Sequence, residues 1–180
     1  MKTVILSVLL LTICLFPKVT ANDKVSNSIH WVSMEYAVDM ASLNNRKILV
    51  DVYTNWCAWC KIMEQKTYSN EQIISYINEK YYAVRLNAES KDSIRFQGKM
   101  FGLMPQSRVN QLASLLLNGK LTYPTTVIMS KNAEVLSPVA GYMEPSAMMP
   151  ILKYYAEDIY QKQSWEDYKK TSLVAESEKK

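Results

Sequence analysis

Two cysteines three positions apart, Cys57 and Cys60, sit in the run Trp56-Cys57-Ala58-Trp59-Cys60-Lys61. Disulfide exchange needs one reactive thiolate and one nearby thiol that resolves the mixed disulfide. Placed where a strand gives way to a helix, both sulfurs fall on the first helical turn. There the first cysteine meets unpaired amides and the positive end of the helix dipole, which favour its thiolate. Cys57 is therefore the expected nucleophile and Cys60 the resolving thiol. Two bland readings compete. Half of a zinc site would need two more ligands, commonly Cys or His, and beyond Cys14 the chain offers only His30. An inert staple is a poor use of so short a loop, which stabilises little by chain entropy.

Asp51 is the next residue with a chemical reading. It interrupts the apolar run Ile48 to Tyr53. A carboxylate inside such a strand is costly unless protonated or paired, and burial raises its pKa toward neutrality. A group of that kind can take the proton from Cys60 as this thiol attacks. The plainer alternative is an Asp at a strand end, capping or solvated.

The elements that must position these groups follow from periodicity. Met34, Ala37, Val38 and Ala41 give a helix from Ser33 that stops at Asn44-Asn45. A buried strand over 48–53 precedes a helix from Cys57 to about Lys66. Ser69 with Gln72 suggests a capping box for a helix bearing Ile73, Ile74 and Ile77. Tyr82, Val84 and Leu86 alternate as a strand. Residues 91–105 read as irregular. Val109, Leu112, Ala113 and Leu116 give a helix ended by Asn118-Gly119. Thr125 to Met129 and Val135 to Tyr142 form a hairpin about Lys131-Asn132-Ala133, with Pro138 marking an edge strand. Met148, Ile151, Leu152, Tyr155 and Ile159 line a last helix, with Pro150 expected near its first turn. The crossover between strands points to an α/β fold, a mixed sheet covered on both faces.

The chain has 180 residues, which suits one domain. Lys2, an apolar run from Val4 to Phe16 and the small-residue pattern Val19-Thr20-Ala21 predict a signal peptide over 1–21. The run is shorter than the roughly 20 residues a spanning helix needs; an uncleaved anchor, the only membrane contact expected, is the alternative. The domain is expected over 22–170, with a loose charged tail over 171–180. Loss of Lys2 and Lys18 lowers the net charge from +4 to +2, which gives no case for nucleic acid. Cys14 leaves with the leader, so Cys57 and Cys60 remain as a lone pair rather than a disulfide scaffold. An exported protein is expected, periplasmic, or secreted as the alternative.

Taken together, the chain resembles the thioredoxin superfamily over roughly residues 30–160. Val50-Asp51-Val52-Tyr53 stands before Trp56-Cys57, Arg85-Leu86-Asn87 resembles the third-strand ending, Tyr123-Pro124-Thr125 the cis-proline loop, and Gly141 the last-strand glycine. Within the superfamily it looks most like exported bacterial thioredoxin-like proteins and the carboxy-terminal reductase domains of membrane disulfide reductases. The resemblance implies a redox-active Cys57–Cys60 disulfide with no cofactor besides, and Asp51 as the proton acceptor. It implies a cis bond before Pro124, although an isolated X-Pro bond is usually trans. It also implies substrate contacts at Trp56, Trp59, Tyr123, Pro124 and Thr125, where an extended segment can pair with exposed backbone as an added strand. Position favours Trp56 packed beneath the site and Trp59 partly exposed, where aromatic surface grips a partner; both indoles as plain core is the alternative.

Two departures matter. Ala58-Trp59 replaces the common Gly-Pro, so no redox potential carries over. The stretch from Cys60 to Pro124 is longer than usual, placing an extra segment between the third strand and the cis-proline strand, within 91–119. Lys91, Arg95, Lys99 and Arg108 interleave there with Phe96, Met100, Phe101, Leu103 and Met104, which suggests a partner surface near the dithiol, or else an excursion that buries its own apolar residues. No His lies between the cysteines, which disfavours a strong oxidant. The expected partners are protein disulfides and a membrane-linked or periplasmic electron donor. A binding module with an idle dithiol, or a metal chaperone, is the rival class.

Overall fold

Ile48, Val50 and Val52 send their side chains to one face of a strand, Leu49 and Asp51 to the other, and this alternation organises the molecule. The computed structural model describes residues 27–177, with side chains described through Thr171. The expected leader and its cleavage site lie outside these residues. Among the described residues no helix is long and apolar enough to cross a membrane.

The chain runs through β1 (Trp31–Val32), α1 (Met34–Asn44), β2 (Lys47–Tyr53), α2 (Ala58–Lys66), α3 (Glu71–Lys80) and β3 (Tyr81–Asn87). It continues through β4 (Ile94–Phe96), β5 (Lys99–Phe101), β6 (Leu103–Met104), β7 (Val109–Asn110), α4 (Gln111–Leu116), β8 (Thr125–Met129) and β9 (Val135–Ala140). It closes with α5 (Pro145–Ala156), a 3-10 turn (Ile159–Gln161) and α6 (Trp165–Ser177). The central sheet has the order β1-β3-β2-β8-β9. β1, β3 and β2 are parallel, while β8 runs antiparallel to β2 and β9 to β8. α1 and α4 cover the face of Ile48, Val50 and Val52. Met63 of α2, with α3 and α5, covers the face of Leu49. This is the mixed, doubly covered sheet that the thioredoxin resemblance implies. Ile73, Ile77, Leu112 and Leu152 are fully buried, each contributing about 1.5–3 kcal/mol of apolar transfer.

Several expectations are corrected. Asn70, not Ser69, caps α3, its Oδ1 accepting from the amides of Gln72 and Ile73; Ser69 instead turns its hydroxyl back to the Gln65 carbonyl. Residues 91–105 are not irregular. β4 and β5 form a hairpin whose turn, Gln97-Gly98, has positive φ at both positions, the geometry of a two-residue hairpin loop. β6 pairs with β7. Asn110 is fully buried and clasps the insertion: its Nδ2 donates to the carbonyls of Ser90 and Asp92, while its Oδ1 caps α4 by accepting from Leu112. α4 therefore starts at Gln111, after Val109. α5 begins at Pro145, a turn earlier than expected, because proline is pre-set for the first helical position. Pro150 sits in the second turn, and the exposed position of Ser146 leaves water to serve the carbonyl it deprives. The tail expected to be loose from 171 continues α6 to Ser177. Ser164 explains the helix start: its hydroxyl accepts from the Asp167 amide and donates to the Asp167 carboxylate.

Candidate active site

β2 delivers the chain to Thr54, and a turn over Asn55-Trp56 delivers it to α2. Cys57 is the N-cap of α2, with extended backbone, and its Sγ accepts the Cys60 amide at 3.1 Å. Cys57 and Cys60 are joined as a disulfide. Both residues are 5% exposed, so Cys60 is no more enclosed than Cys57 in this oxidised state. The sulfur that caps the helix is the one whose negative charge the free amides stabilise.

The Tyr123–Pro124 peptide bond is cis. Gly141, at φ +99°, donates its amide to the Pro124 carbonyl at 2.8 Å and ties the loop to the end of β9. Trp59, Tyr123, Pro124, Gly141 and Tyr142 line an open groove of about 270 Å³. Trp59 is 57% exposed and packs its ring against Tyr142 at 5.4 Å. Trp56 does not pack beneath the site. It is 67% exposed, stands edge-on to Tyr123, and donates from Nε1 to Glu89 at 3.0 Å. The indole is held outward by a partner on the loop after β3, so two aromatic pairs rim the disulfide. Thr125 is also placed differently from expectation: it is buried, and its hydroxyl donates to the Thr122 carbonyl. Its side chain shapes the loop rather than facing a substrate.

Asp51 lies beneath, 3% exposed. It is neither capping nor solvated. Burial pushes its pKa up from 3.8 to about 6, against the lowering pull of Arg85. Arg85 is its register partner across the parallel β2–β3 pair, and Arg85 Nε stands 3.4 Å from Asp51 Oδ2. The same guanidinium binds Glu64 of α2 through both terminal nitrogens and lies 4.5 Å from the centre of the Tyr53 ring. Tyr68 closes the other side, its hydroxyl 3.3 Å from Thr126 Oγ1. Cys60, Thr54, Lys61, Glu64 and Arg85 line a cleft of about 160 Å³, which joins the Cys60 side of the disulfide to the Asp51–Arg85 pair.

Sequence reasoning missed Glu64, Tyr68, Tyr142 and the part played by Arg85. For Arg85 a signal existed, since it is the one cation in the alternating strand and its register places it against Asp51. Glu64 follows Cys60 by four positions, hence on the same helical face. Tyr68 and Tyr142 carry no such pattern. The segment 91–108 does not reach the dithiol. Asp92, Ser93, Ile94 and Arg95 line another cavity, of about 380 Å³, with Ser33 and Glu35 of the α1 start. Phe96 is buried, with Ile94, Phe101 and Met104 packed on the same core, and Arg95 pairs with Glu35 at 3.1 Å. Most of its apolar residues serve the insertion's own packing.

Comparison with known proteins agrees with this geometry. A family model described as "Thioredox_DsbH: Protein of unknown function, DUF255" matches residues 21–179. The thiol:disulfide interchange protein DsbD of Pseudomonas fluorescens is 30% identical over 61 residues, covering 34% of this chain and 10% of its own length. The matched stretch is about a tenth of the length of such curated relatives. Among solved structures, a thioredoxin-fold protein from Helicobacter pylori superposes with a TM-score of 0.59 at 17% identity, covering 85% of this chain and 91% of that one. One described as DsbH oxidoreductase gives 0.53 at 16%, covering 74% and 88%. At such identity these structures speak for the fold.

Proposed function

Since the chain belongs to the Thioredox_DsbH family, thioredoxin-like disulfide oxidoreductases with a close cysteine pair, we propose that it reduces disulfides in exported proteins. Cys57 thiolate attacks a substrate disulfide, and one substrate sulfur leaves as a thiolate. Cys60 then gives its proton to Asp51 and attacks Cys57 Sγ. The Cys57–Cys60 bond forms, the second substrate thiolate departs, and two electrons have passed to the substrate. A membrane-linked or periplasmic donor returns them through the dithiol itself, without a bound cofactor.

The observation that carries this reading is the Cys57 Sγ capping α2 at 3.1 Å from the Cys60 amide, beside the cis-proline loop. Support for the direction is electrostatic. Arg85, a cation of the adjoining cleft, is bound to Glu64 and Asp51, and no His lies between the cysteines. The thiolate then leans on the helix start alone, short of the extra stabilisation that makes a strong oxidant. The groove along Trp59, Tyr142 and Pro124 suits an extended, apolar segment, hence a polypeptide. The leader pattern in residues 1–21 supports an exported, periplasmic setting.

Insulin reduction coupled to a small dithiol tests the activity, and the Cys57–Cys60 potential tests the direction. A value nearer about −270 mV than about −120 mV is expected. A potential at the upper figure would make the protein an oxidant. No turnover of any disulfide would leave a binding module, and metal retention by the reduced dithiol a metal chaperone.

A further inference from the structure

The guanidinium of Arg85 is divided between two carboxylates in an unequal way. Its terminal nitrogens go to Glu64, Nη1 to Oε1 at 2.6 Å and Nη2 to Oε2 at 3.2 Å. The Glu64 side chain is 52% exposed, where water already serves it and an ion pair adds little. Asp51, with 4% of its side chain exposed, receives only Nε at 3.4 Å, and that nitrogen lacks hydrogen-bond geometry to any partner. A buried carboxylate depends most on a well-oriented cation, yet here it has the poorer contact.

We propose that Glu64 is a positioning residue for disulfide exchange: by holding Arg85 partly away from Asp51, it sets the pH at which Asp51 can accept the Cys60 proton. This rests on the reductase reading above. Three features of the fold support it. The β2–β3 register puts Asp51 and Arg85 side by side. Cys60 and Glu64 lie one turn apart on α2 and line one cleft with Arg85. In that cleft Thr54 Oγ1 is buried without a hydrogen-bond partner among the described residues, which marks a place for water. The other groups facing Asp51 are Tyr68, from the turn after α2, and, through it, Thr126 of β8; Lys61 lines the same cleft.

The device balances two failures. A full Arg85–Asp51 ion pair would make the carboxylate too weak a base to take a thiol proton. Without Arg85, burial alone would keep Asp51 protonated near neutral pH and unable to take one. In the step itself the Cys60 S–H bond breaks, the proton moves to the Asp51 carboxylate, the Cys57–Cys60 bond forms, and the substrate thiolate leaves. Asp51 then releases its proton to water in the cleft.

The test uses Glu64→Gln, Arg85→Met and Arg85→Lys in the full chain. The Asp51 carboxyl is titrated by carbon-13 NMR in the oxidised protein. The reduced protein is mixed in stopped flow with an aromatic disulfide that releases one coloured thiol when Cys57 attacks and a second when Cys60 resolves. Glu64→Gln frees Arg85 for Asp51 and removes a repelling charge, so both the Asp51 midpoint and the pH midpoint of the second release should fall by about one unit. Arg85→Met should raise both by about one unit, and Arg85→Lys should restore them. Shifts of opposite sign are not what simple structural damage produces. The half-exposed Glu64 can be changed without threatening the core, so an unmoved or raised midpoint in Glu64→Gln overturns the proposal. If the midpoints move as stated but insulin is not reduced, the reductase reading fails alone. If insulin is reduced and Glu64→Gln moves nothing, this inference fails alone.

Discussion

Replacing Asp51 by Asn should stabilise the protein at neutral pH while impairing its chemistry. Asp51 is 3% exposed, and burial raises its pKa from 3.8 to about 6. Between those values the folded state holds a proton that the unfolded chain has released, so stability falls as pH rises. The contribution is fully present below pH 3.8 and lost once pH has passed about 6. At about 1.36 kcal/mol per pH unit, the raised pKa corresponds to about 3 kcal/mol by pH 7. Asn resembles the protonated acid in shape and charge and carries no such penalty. For a domain of this size that corresponds to roughly 6–12 °C in Tm. Urea titrations of the oxidised wild type and Asp51→Asn, from pH 3.5 to 8, measure it directly. The two proteins should differ little at the acid end and diverge by about 3 kcal/mol above pH 6.5. A difference independent of pH, or an Asn variant less stable at pH 7, would refute the claim that a buried, strained carboxylate underlies this site.

The remaining predictions concern other parts of the molecule. Cys60→Ser should trap covalent partners through Cys57 on non-reducing gels, because the resolving thiol is gone, whereas Cys57→Ser should trap nothing; equal trapping would reverse the assignment of the two thiols. Trp59→Ala combined with Tyr142→Ala removes an aromatic pair worth about 0.5–1.5 kcal/mol, so KM for a peptide disulfide should rise about two- to tenfold while a small disulfide is attacked at the wild-type rate; an equal loss for both would put the aromatic wall out of the substrate's path. Asn110→Ala deletes three buried hydrogen bonds that join the insertion to α4 and should cost roughly 2 kcal/mol or more, with hydrogen exchange rising first in 89–110; wild-type protection there would show the β4–β7 segment is held by its apolar contacts alone.

The sheet was legible because its signals are local and repetitive. Val50 and Val52 flank Asp51, Val84 and Leu86 flank Arg85, and alternation alone tells which residues share a face. The dithiol was legible because two cysteines in a short run have little other use. What escaped depended on contacts between distant segments. The burial of Trp56 was misjudged because an indole's placement hangs on one partner, Glu89, thirty-three positions away. β4 to β7 are two or three residues long, too short for any period to show. Their turn uses Gln97 at positive φ, a conformation its residue type does not advertise. The α6 start was missed because Ser164 lies among charged residues that look like solvated tail, and only its hydroxyl geometry shows a cap.

Asp51 and Arg85 show why a site can violate the pattern of its own strands. On a purely structural sheet, position 51 would be apolar like Leu49, which shares its face and is fully buried. Cys60 needs a proton acceptor within the same enclosed region, and an exposed carboxylate would be too acidic to serve. Burial supplies the basicity, and a cation from the adjacent strand limits it. That cation must itself stay in reach of water, or its own desolvation would exceed the gain. Arg85 meets this by position at the end of β3, with its charge shared by Glu64 at the rim of the cleft. Each of the three charges is thus tolerable only in the presence of the other two, which is why single substitutions at 51, 64 and 85 should be strongly non-additive.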